Sequence, residues 1–161
     1  LILLLMSPLF ALIALGVKFS SPGPIFFKQR RLSWNGRPFM MYKFRSMYLK
    51  TDPLYQEPDL TTNYRDGVCK KYKVDPRTTK VGRFIRKYSI DELPQLFNIV
   101  TGDMAFIGPR PGLSAEVDAY PTSALGRLHG IPGLSGLWQV SGRAHTDFQT
   151  QDDLDHLYLN H

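Results

Sequence analysis

The distribution of charge at the start of the chain constrains its possible folds more than any other feature of the sequence. Residues 1–17 are apolar and uncharged, residues 18–50 contain only basic charges, and the first acid is Asp52. The basic residues of this stretch are Lys18, Lys28, Arg30, Arg31, Arg37, Lys43, Arg45 and Lys50. An apolar segment followed by a basic one is typical of membrane contact, with the basic part facing anionic lipid on the cytoplasmic side. We therefore expect a membrane helix within residues 1–19 and a separate domain over residues 20–161.

The apolar segment is interrupted by Ser7-Pro8. Proline removes a backbone donor and bends a helix, and a neighbouring serine can satisfy the carbonyl that loses its partner. Because a membrane span needs about 20 residues, three alternatives stay open: a truncated spanning helix, a bent helix that enters and leaves on the same face, and a signal peptide or buried core helix. Since the chain begins at Leu1, inside the apolar run, we expect this helix to be truncated at its N-terminus.

The composition predicts a folded, basic domain. A length of 161 residues suffices for one core, and 43% hydrophobic residues exclude disorder throughout. The single cysteine, Cys69, excludes an internal disulfide and argues against a cysteine-based zinc site. The net charge of +6 favours phosphate-rich partners, although it is also compatible with simple solubility. No recognisable nucleic-acid motif is present, so we expect no nucleic acid partner.

The pattern of turns and apolar residues predicts a mixed fold of the α/β (α+β) class. Residues 25–31 and 38–44 resemble strands joined by a turn at Asn35-Gly36, which indicates a hairpin. This hairpin fits either a bilayer interface or an ordinary core. The remaining predicted elements are a loop over 49–74, a helix over 78–88, a helix from a capping box at Ser89–Glu92 to Gly102, a strand at 104–107, a rigid loop at 108–112, short helices at 115–120 and 122–129, and a last helix from a second capping box at Thr146–Gln149.

The adjacent acids Asp91 and Glu92 are the most informative pair for chemistry. In the first turn of a helix, free backbone N–H groups and the helix dipole favour the ionised form of a carboxylate. An ionised carboxylate is a competent nucleophile toward phosphorus and a ligand for Mg²⁺. Acids in a first helical turn are also ordinary capping residues, and that alternative stays open. Adjacent residues on one turn do not flank a sugar, so the pair does not suit a glycosidase.

Several arginines lie at turns beside glycine or proline. Arginine binds phosphate through two parallel hydrogen bonds, and a fixed backbone helps to position it. Taken singly, each arginine is more simply a solvated side chain, but together they favour a phosphate site near the acidic pair. These residues are Arg83, Arg86, Arg110 and Arg143.

Several longer motifs occur together and in a fixed order. They are Ser21-Pro-Gly-Pro24, Tyr42-Lys-Phe-Arg-Ser-Met47, Asp75-Pro-Arg77, Ser89-Ile-Asp-Glu-Leu-Pro-Gln95, Gly102-Asp-Met104, Gly108-Pro-Arg-Pro111 and Pro132-Gly-Leu-Ser-Gly-Leu-Trp-Gln-Val-Ser-Gly-Arg143. With these motifs the chain resembles the bacterial sugar transferases, a family of monotopic polyprenol-phosphate phosphoglycosyl transferases that begin exopolysaccharide, O-antigen or glycoprotein glycan assembly. The resemblance covers residues 1–158 and implies a small monotopic membrane domain whose re-entrant helix is broken at Ser7-Pro8.

The resemblance also implies a two-step reaction. Asp91 matches the family nucleophile, which takes a sugar phosphate from a UDP-sugar, releases UMP and passes the group to polyprenol phosphate. Glu92 matches its partner, and both acids would hold Mg²⁺. Arg86 matches a phosphate-binding position near the lipid acceptor, and Arg110 and Arg143 match positions near the nucleotide and diphosphate.

With these arginines we assign Pro109 and Gln139, from the same two motifs as Arg110 and Arg143, to substrate binding. The implied partners are a UDP-sugar, polyprenol phosphate and membrane lipid at the cytoplasmic face of the bacterial inner membrane. A homo-oligomer stays open, as does the alternative of an inactive scaffold for a polysaccharide synthesis complex.

Overall fold

The computed structural model describes residues 2–59, 75–142 and 147–161. The predicted loop beyond residue 59, Cys69, Arg143 and Thr146 lie outside the described residues. Within them, short helices and two small sheets confirm the predicted α+β class.

The N-terminal helix is broken where Ser7-Pro8 predicts a break. Helix α1 covers Ile2–Leu5 and α2 covers Ser7–Ser20, with Met6 between them. Pro8 has no N–H to offer the carbonyl of Leu4, and the Ser7 hydroxyl donates to that carbonyl at 2.7 Å. The Leu4 carbonyl, which faces the proline, therefore keeps a hydrogen-bond partner at the break. Among the described residues, no helix has both the length and the apolar character needed to cross a membrane.

The predicted hairpin is confirmed. Strand β1 (Phe26–Leu32) pairs antiparallel with β2 (Pro38–Phe44), from Phe26 opposite Phe44 to Leu32 opposite Pro38. Asn35 and Gly36 turn the chain with φ of 53° and 71°, the left-handed region that these two residue types tolerate. Strand β2 supplies side chains to both hydrophobic cores, so it is a core element of the fold. The first core contains Ile13, Val17, Phe44 and Ile85, and the second contains Phe39, Met41 and Met104.

The end of α2 is held by a buried arginine just after β2. Arg45 donates to the carbonyls of Val17, Ser21, Pro22 and Pro24 and to the Ser21 hydroxyl. These carbonyls belong to the end of the helix and the following turn, where no helical partner remains. Arg45 therefore links the N-terminal helix to the hairpin. The sequence shows it only as one member of a basic run.

Helix α3 (Lys80–Lys87) begins after Thr79, whose hydroxyl accepts from the Gly82 N–H at 2.8 Å. Only part of its predicted apolar face is buried. Val81 and Ile85 pack against the first core, whereas Phe84 and Tyr88 are 59% and 57% exposed and contact each other with ring centroids 5.1 Å apart. The helix thus has one buried stripe and one exposed aromatic stripe.

The capping box predicted at Ser89 is wrong. Ser89 adopts a left-handed conformation with φ of 57° and makes no side-chain cap, and Ile90–Glu92 form one 3₁₀ turn. Helix α4 (Gln95–Val100) begins only after Pro94, which cannot donate a backbone hydrogen bond. Gly102, with φ of 81°, follows its end as predicted. The two carboxylates therefore lie on a 3₁₀ turn rather than at the start of an α-helix.

The C-terminal part contains a second small sheet. Strand β3 (Ala105–Ile107) pairs in parallel with β4 (Gly133–Ser135). Between them lie the predicted rigid loop at 108–112, helix α5 (Ser114–Val117) and a 3₁₀ helix at Thr122–His129. Helix α6 (Leu137–Val140) follows β4.

Helix α7 (Phe148–Leu159) is capped by Asp147, which accepts from the Thr150 N–H at 2.7 Å, so the helix begins after Asp147 rather than at the predicted Thr146 box. Its buried face is polar: Gln151, Asp152 and Asp155 are each at most 2% exposed. Asp155 forms an ion pair with buried Arg127.

Helix α3 packs closely against the segment that follows strand β2, and this contact gives a first prediction. A Cβ on Gly82 would lie 1.9 Å from the Ser46 carbonyl oxygen, a backbone atom that cannot move aside cheaply. We expect Gly82→Ala to lower the free energy of unfolding by at least ~3 kcal/mol, measured by urea denaturation. Gly16→Ala is the matched control, because its Cβ would meet only Val81 Cγ1 at 3.7 Å. It is expected to stabilise by about 0.5–1 kcal/mol, and equal effects of the two changes would contradict the prediction.

Candidate active site

The two predicted acids lie against strand β2. Glu92 accepts from the Lys43 ammonium at 2.6 Å, and both side chains are partly buried. Asp91, the neighbour of Glu92 on the 3₁₀ turn, is 8% exposed. The hairpin thus supplies a cation to a pair of carboxylates, and its ion-pair partner Glu92 is 49 residues away in sequence. Sequence reasoning gave Lys43 no role, although it belongs to the Tyr42–Met47 motif.

Burial controls the ionisation of Asp91. Loss of water around the carboxyl group raises its pKa, the Lys43 charge lowers it, the Glu92 charge raises it, and the Arg86 charge lowers it. The favourable effect expected from a helix start is therefore outweighed by desolvation. Lys43 and Arg86 are the groups that keep the ionised form accessible.

A polar cleft opens beside Glu92. Its described lining comprises Arg31, Met41, Lys43, Glu92, Gln95, Arg110, Pro111, Gly133, Leu134, Trp138 and Gln139. This lining contains three cationic side chains and one acidic side chain, and that balance favours an anionic ligand. Asp91 is not among these lining residues, and it is more buried than Glu92. A second, adjacent cleft shares Glu92, Leu134 and Gln139 with the first.

The loop at residues 108–112 forms one wall of the cleft and is held from two sides. Arg31 donates to the Pro111 carbonyl at 3.1 Å and forms an ion pair with Glu116 at 3.3 Å. On the other side, Asp155 of α7 accepts from the Arg110 backbone N–H at 3.4 Å. These contacts fix the backbone that carries Arg110.

The Arg110 side chain is positioned by an aromatic ring. Its guanidinium carbon lies 5.7 Å from the centre of the Trp138 ring. The Arg110 Nε and the Trp138 Nε1 are both buried, and no described residue gives either a hydrogen-bond partner. Unpaired buried donors at the wall of a cationic cleft are suited to an acceptor-rich ligand such as a phosphate.

The other predicted site residues do not all line the cleft. Gln139 lines both clefts and donates to the Leu134 carbonyl at 3.1 Å. Pro109 is fully buried, and its carbonyl accepts from the Gly133 N–H at 3.0 Å, so it holds the loop against β4. Arg86 is exposed and acts on Asp91 through its charge. Arg143 is outside the described residues. Ser7 and Pro8 form the helix break.

The acidic pair fits Mg²⁺ only together with substrate. Within the described ranges, no group of three or more His, Cys, Asp or Glu residues could hold a metal ion. Mg²⁺ commonly takes one or two carboxylates and completes its coordination with phosphate oxygens and water. Asp91 and Glu92 offer that number of oxygen ligands, and Lys43 already occupies one oxygen of Glu92.

Comparison with known proteins gives one consistent result. A family model described as bacterial sugar transferase matches residues 1–161. The exopolysaccharide production protein ExoY of Rhizobium meliloti is 44% identical over 98% of this chain and 71% of its own length.

Longer relatives match over a smaller share of their length. The galactosyl transferase CpsE of Streptococcus agalactiae is 45% identical over 86% of this chain and 31% of that protein. The UDP-glucose:undecaprenyl-phosphate glucose-1-phosphate transferase of Escherichia coli is 43% identical over 91% of this chain and 30% of that protein. These matches confirm the resemblance drawn from the motifs, and the chain belongs to the bacterial sugar transferase family.

Proposed function

We propose that this chain moves a sugar 1-phosphate from a UDP-sugar to polyprenol (undecaprenyl) phosphate and releases UMP, as the first membrane step of polysaccharide or glycan assembly. The observation that carries the proposal is the acidic pair Asp91-Glu92, of which Glu92 lines a cleft with three cations, Arg31, Lys43 and Arg110. Relatives support the two substrates. One is named undecaprenyl-phosphate galactose phosphotransferase in Salmonella typhimurium, at 42% identity, and the Escherichia coli relative is named for UDP-glucose and undecaprenyl phosphate.

The proposed reaction has two displacements at the same phosphorus. In the first, a carboxylate oxygen of Asp91 attacks the phosphorus that carries the sugar, the bond from this phosphorus to the bridging oxygen of the diphosphate breaks, and UMP leaves with that oxygen. In the second, a phosphate oxygen of the polyprenol phosphate attacks, and the bond to Asp91 breaks. The product is a polyprenyl diphosphate sugar, and Asp91 returns as a carboxylate.

The cations of the cleft neutralise the transferred phosphoryl group. Lys43 lowers the pKa of Asp91 and pairs with Glu92, and we assign Arg110, which lines the cleft, to the diphosphate. We assign Arg86 to the acceptor phosphate and Arg143 to the nucleotide, following the family motifs. Mg²⁺ held by Asp91 and Glu92 would supply charge neutralisation at the phosphate oxygens. Positioning and charge neutralisation are most of the catalysis of phosphoryl transfer.

The N-terminal helices support a membrane location. Helix α2 exposes Leu12, Leu15 and Phe19 and turns Ile13 and Val17 toward the core. A satisfied break at Ser7-Pro8 suits a helix that enters the membrane and returns to the same face, because unpaired carbonyls are costly in lipid. We therefore propose that residues 1–19 form a re-entrant anchor at the cytoplasmic face of the inner membrane.

UMP release is the experiment that tests this function. The protein in detergent is given polyprenol phosphate and Mg²⁺ with each of several UDP-sugars, and UMP is measured over time. A transferase releases UMP with at least one donor, whereas the alternative, an inactive scaffold, releases none. Labelled donor without acceptor should leave the sugar phosphate on the peptide that contains Asp91. Turnover without such an adduct would remove the covalent step.

The charge of Lys43 gives a prediction about pH. Because Lys43 lowers the pKa of Asp91, Lys43→Met raises that pKa further and moves the acidic limb of the kcat/KM profile to higher pH. On that limb we expect a loss of roughly 10- to 100-fold, the size of a lost charge-assisted contact. Lys43→Arg keeps the charge and is expected to leave the limb in place. An unshifted limb in Lys43→Met would contradict this role.

A further inference from the structure

The three cations of the cleft differ in how they are paired within the protein. Arg31 forms an ion pair with Glu116 at 3.3 Å, and Lys43 forms one with Glu92 at 2.6 Å. The guanidinium of Arg110 forms neither an ion pair nor a hydrogen bond with any residue that the structure describes, and its Nε is buried. The charge of Arg110 is therefore left without an acidic partner in this part of the chain, at the wall of a cleft suited to an anion.

The ring of Trp138 lies against this guanidinium. The guanidinium carbon of Arg110 is 5.7 Å from the centre of the ring, and both side chains line the cleft. The edge of the ring that carries Nε1 lies close to Gly136, because a Cβ built on that glycine would be 3.4 Å from Cδ1 and 3.5 Å from Nε1 of Trp138. The ring is therefore supported by the residue that precedes helix α6.

An aromatic ring orients a cation without neutralising it, and this separates Arg110 from the buried Arg127. Arg127 lies over the rings of Tyr120 and Phe148 and also forms an ion pair with Asp155, so its charge is used within the fold. Arg110 has the ring but, among the described residues, no acid. Because the ring attracts the guanidinium through its face, the N–H donors stay available to a ligand rich in acceptors.

We propose that Trp138 is a positioning residue for the nucleotide-sugar donor, whose ring holds the Arg110 guanidinium where it meets the diphosphate. This inference rests on the proposed transferase function, in which Arg110 is assigned to the diphosphate. A guanidinium that is oriented before binding loses less conformational freedom when the ligand arrives than a mobile one does. Removal of the ring therefore weakens donor binding, and it does so through Arg110.

A double-mutant cycle on UDP binding tests this role. UDP carries the diphosphate but no sugar to transfer, and its dissociation constant is measured by calorimetry with the full chain in detergent and Mg²⁺. Trp138→Leu is expected to weaken UDP binding by roughly 3- to 30-fold, the size of a cation–π contact. In an Arg110→Met background the same change is expected to cost less than about 2-fold, because the partner of the ring has been removed.

Two further variants separate positioning from a structural role. Trp138→Phe keeps a ring that attracts cations less strongly, so an intermediate loss is expected, again only when Arg110 is present. If Trp138→Leu does not fold, Trp138→Phe makes the same comparison. Trp34→Leu changes the other tryptophan of the chain, which is 56% exposed at the hairpin turn, and should leave UDP affinity unchanged. An equal loss with and without Arg110 would overturn the proposal, as would wild-type UDP affinity in Trp138→Leu.

UMP release with the donor panel separates this inference from the function on which it rests. If wild type releases UMP but the ring and Arg110 show no coupling in UDP binding, only the positioning role falls. If the coupling is found and no donor yields UMP, the transferase function falls and Trp138 still positions Arg110 for a nucleoside diphosphate. If wild type does not bind UDP, the proposed donor site falls together with the positioning role.

Discussion

Asp91→Asn is expected to abolish sugar phosphate transfer and, at the same time, to make the fold more stable at neutral pH. The first effect follows from the proposed role of Asp91 as the attacking group, because an amide does not form the covalent intermediate. Removal of a nucleophile typically lowers kcat by at least ~10⁴-fold. UMP release and labelling of the protein by donor alone should therefore both disappear.

The second effect follows from the burial of the same side chain. Burial raises the pKa of Asp91 above its value in the unfolded chain, so the folded state binds the proton more tightly. Stability contributed by this group is thus greatest below the unfolded pKa and falls as pH rises through the folded pKa. Asparagine carries no charge at any pH and avoids this loss.

Thermal unfolding without divalent metal, measured between pH 4 and pH 8 for both proteins, checks the expectation. The advantage of Asp91→Asn should grow with pH over this range. Asp118→Asn is a control at an exposed acid and should change neither activity nor the pH dependence. A stability difference that does not vary with pH would contradict the effect of burial, and persistent turnover in Asp91→Asn would contradict the nucleophile.

Arg45→Met is expected to cause the largest loss of stability. The guanidinium is 3% exposed and donates to five acceptor atoms at the end of α2 and in the following turn. Without it, four carbonyls lose this donor, and the contacts to the Val17 and Ser21 carbonyls are buried; an unsatisfied buried acceptor costs about 1–3 kcal/mol. We expect the free energy of unfolding to fall by at least ~3 kcal/mol.

Denaturation in urea with matched variants isolates this effect. Arg45→Lys keeps the charge but offers three donors from one point instead of a planar fork of five, so an intermediate loss is expected. Arg30→Ala removes an exposed arginine of strand β1 and should change stability by less than ~0.5 kcal/mol. Similar midpoints for Arg45→Met and Arg30→Ala would show that the network at the helix end is not a main source of stability.

Features encoded by neighbouring residues could be predicted from the sequence. The turn at Asn35-Gly36, the stop at Gly102 and the break at Ser7-Pro8 each depend on the backbone preferences of one or two residues. The capping box predicted at Ser89 is wrong, because it was inferred only from the spacing of Ser89 and Glu92, which is a local pattern. The structure instead uses Glu92 for an ion pair with Lys43 of the hairpin.

Features that depend on distant partners could not be predicted. The acidic face of α7 is buried because Asp155 meets Arg127, and Arg127 lies over the rings of Tyr120 and Phe148. No periodic pattern within α7 indicates that this acidic face is buried, since its apolar residues Leu157 and Tyr158 remain partly exposed. The role of Asn98 is equally invisible in sequence, because only the fold shows that its side chain accepts from the Tyr42 N–H and donates to the Met40 carbonyl.

The double attachment of the 108–112 loop has a consequence for synthesis on the ribosome. Arg31 reaches the loop from an early strand, and Asp155 reaches it from the last helix. A nascent chain that has completed the acidic turn and the loop still lacks the second attachment until α7 has left the exit tunnel. This wall of the cleft should therefore acquire its second attachment only after α7 has been synthesised and has folded against it.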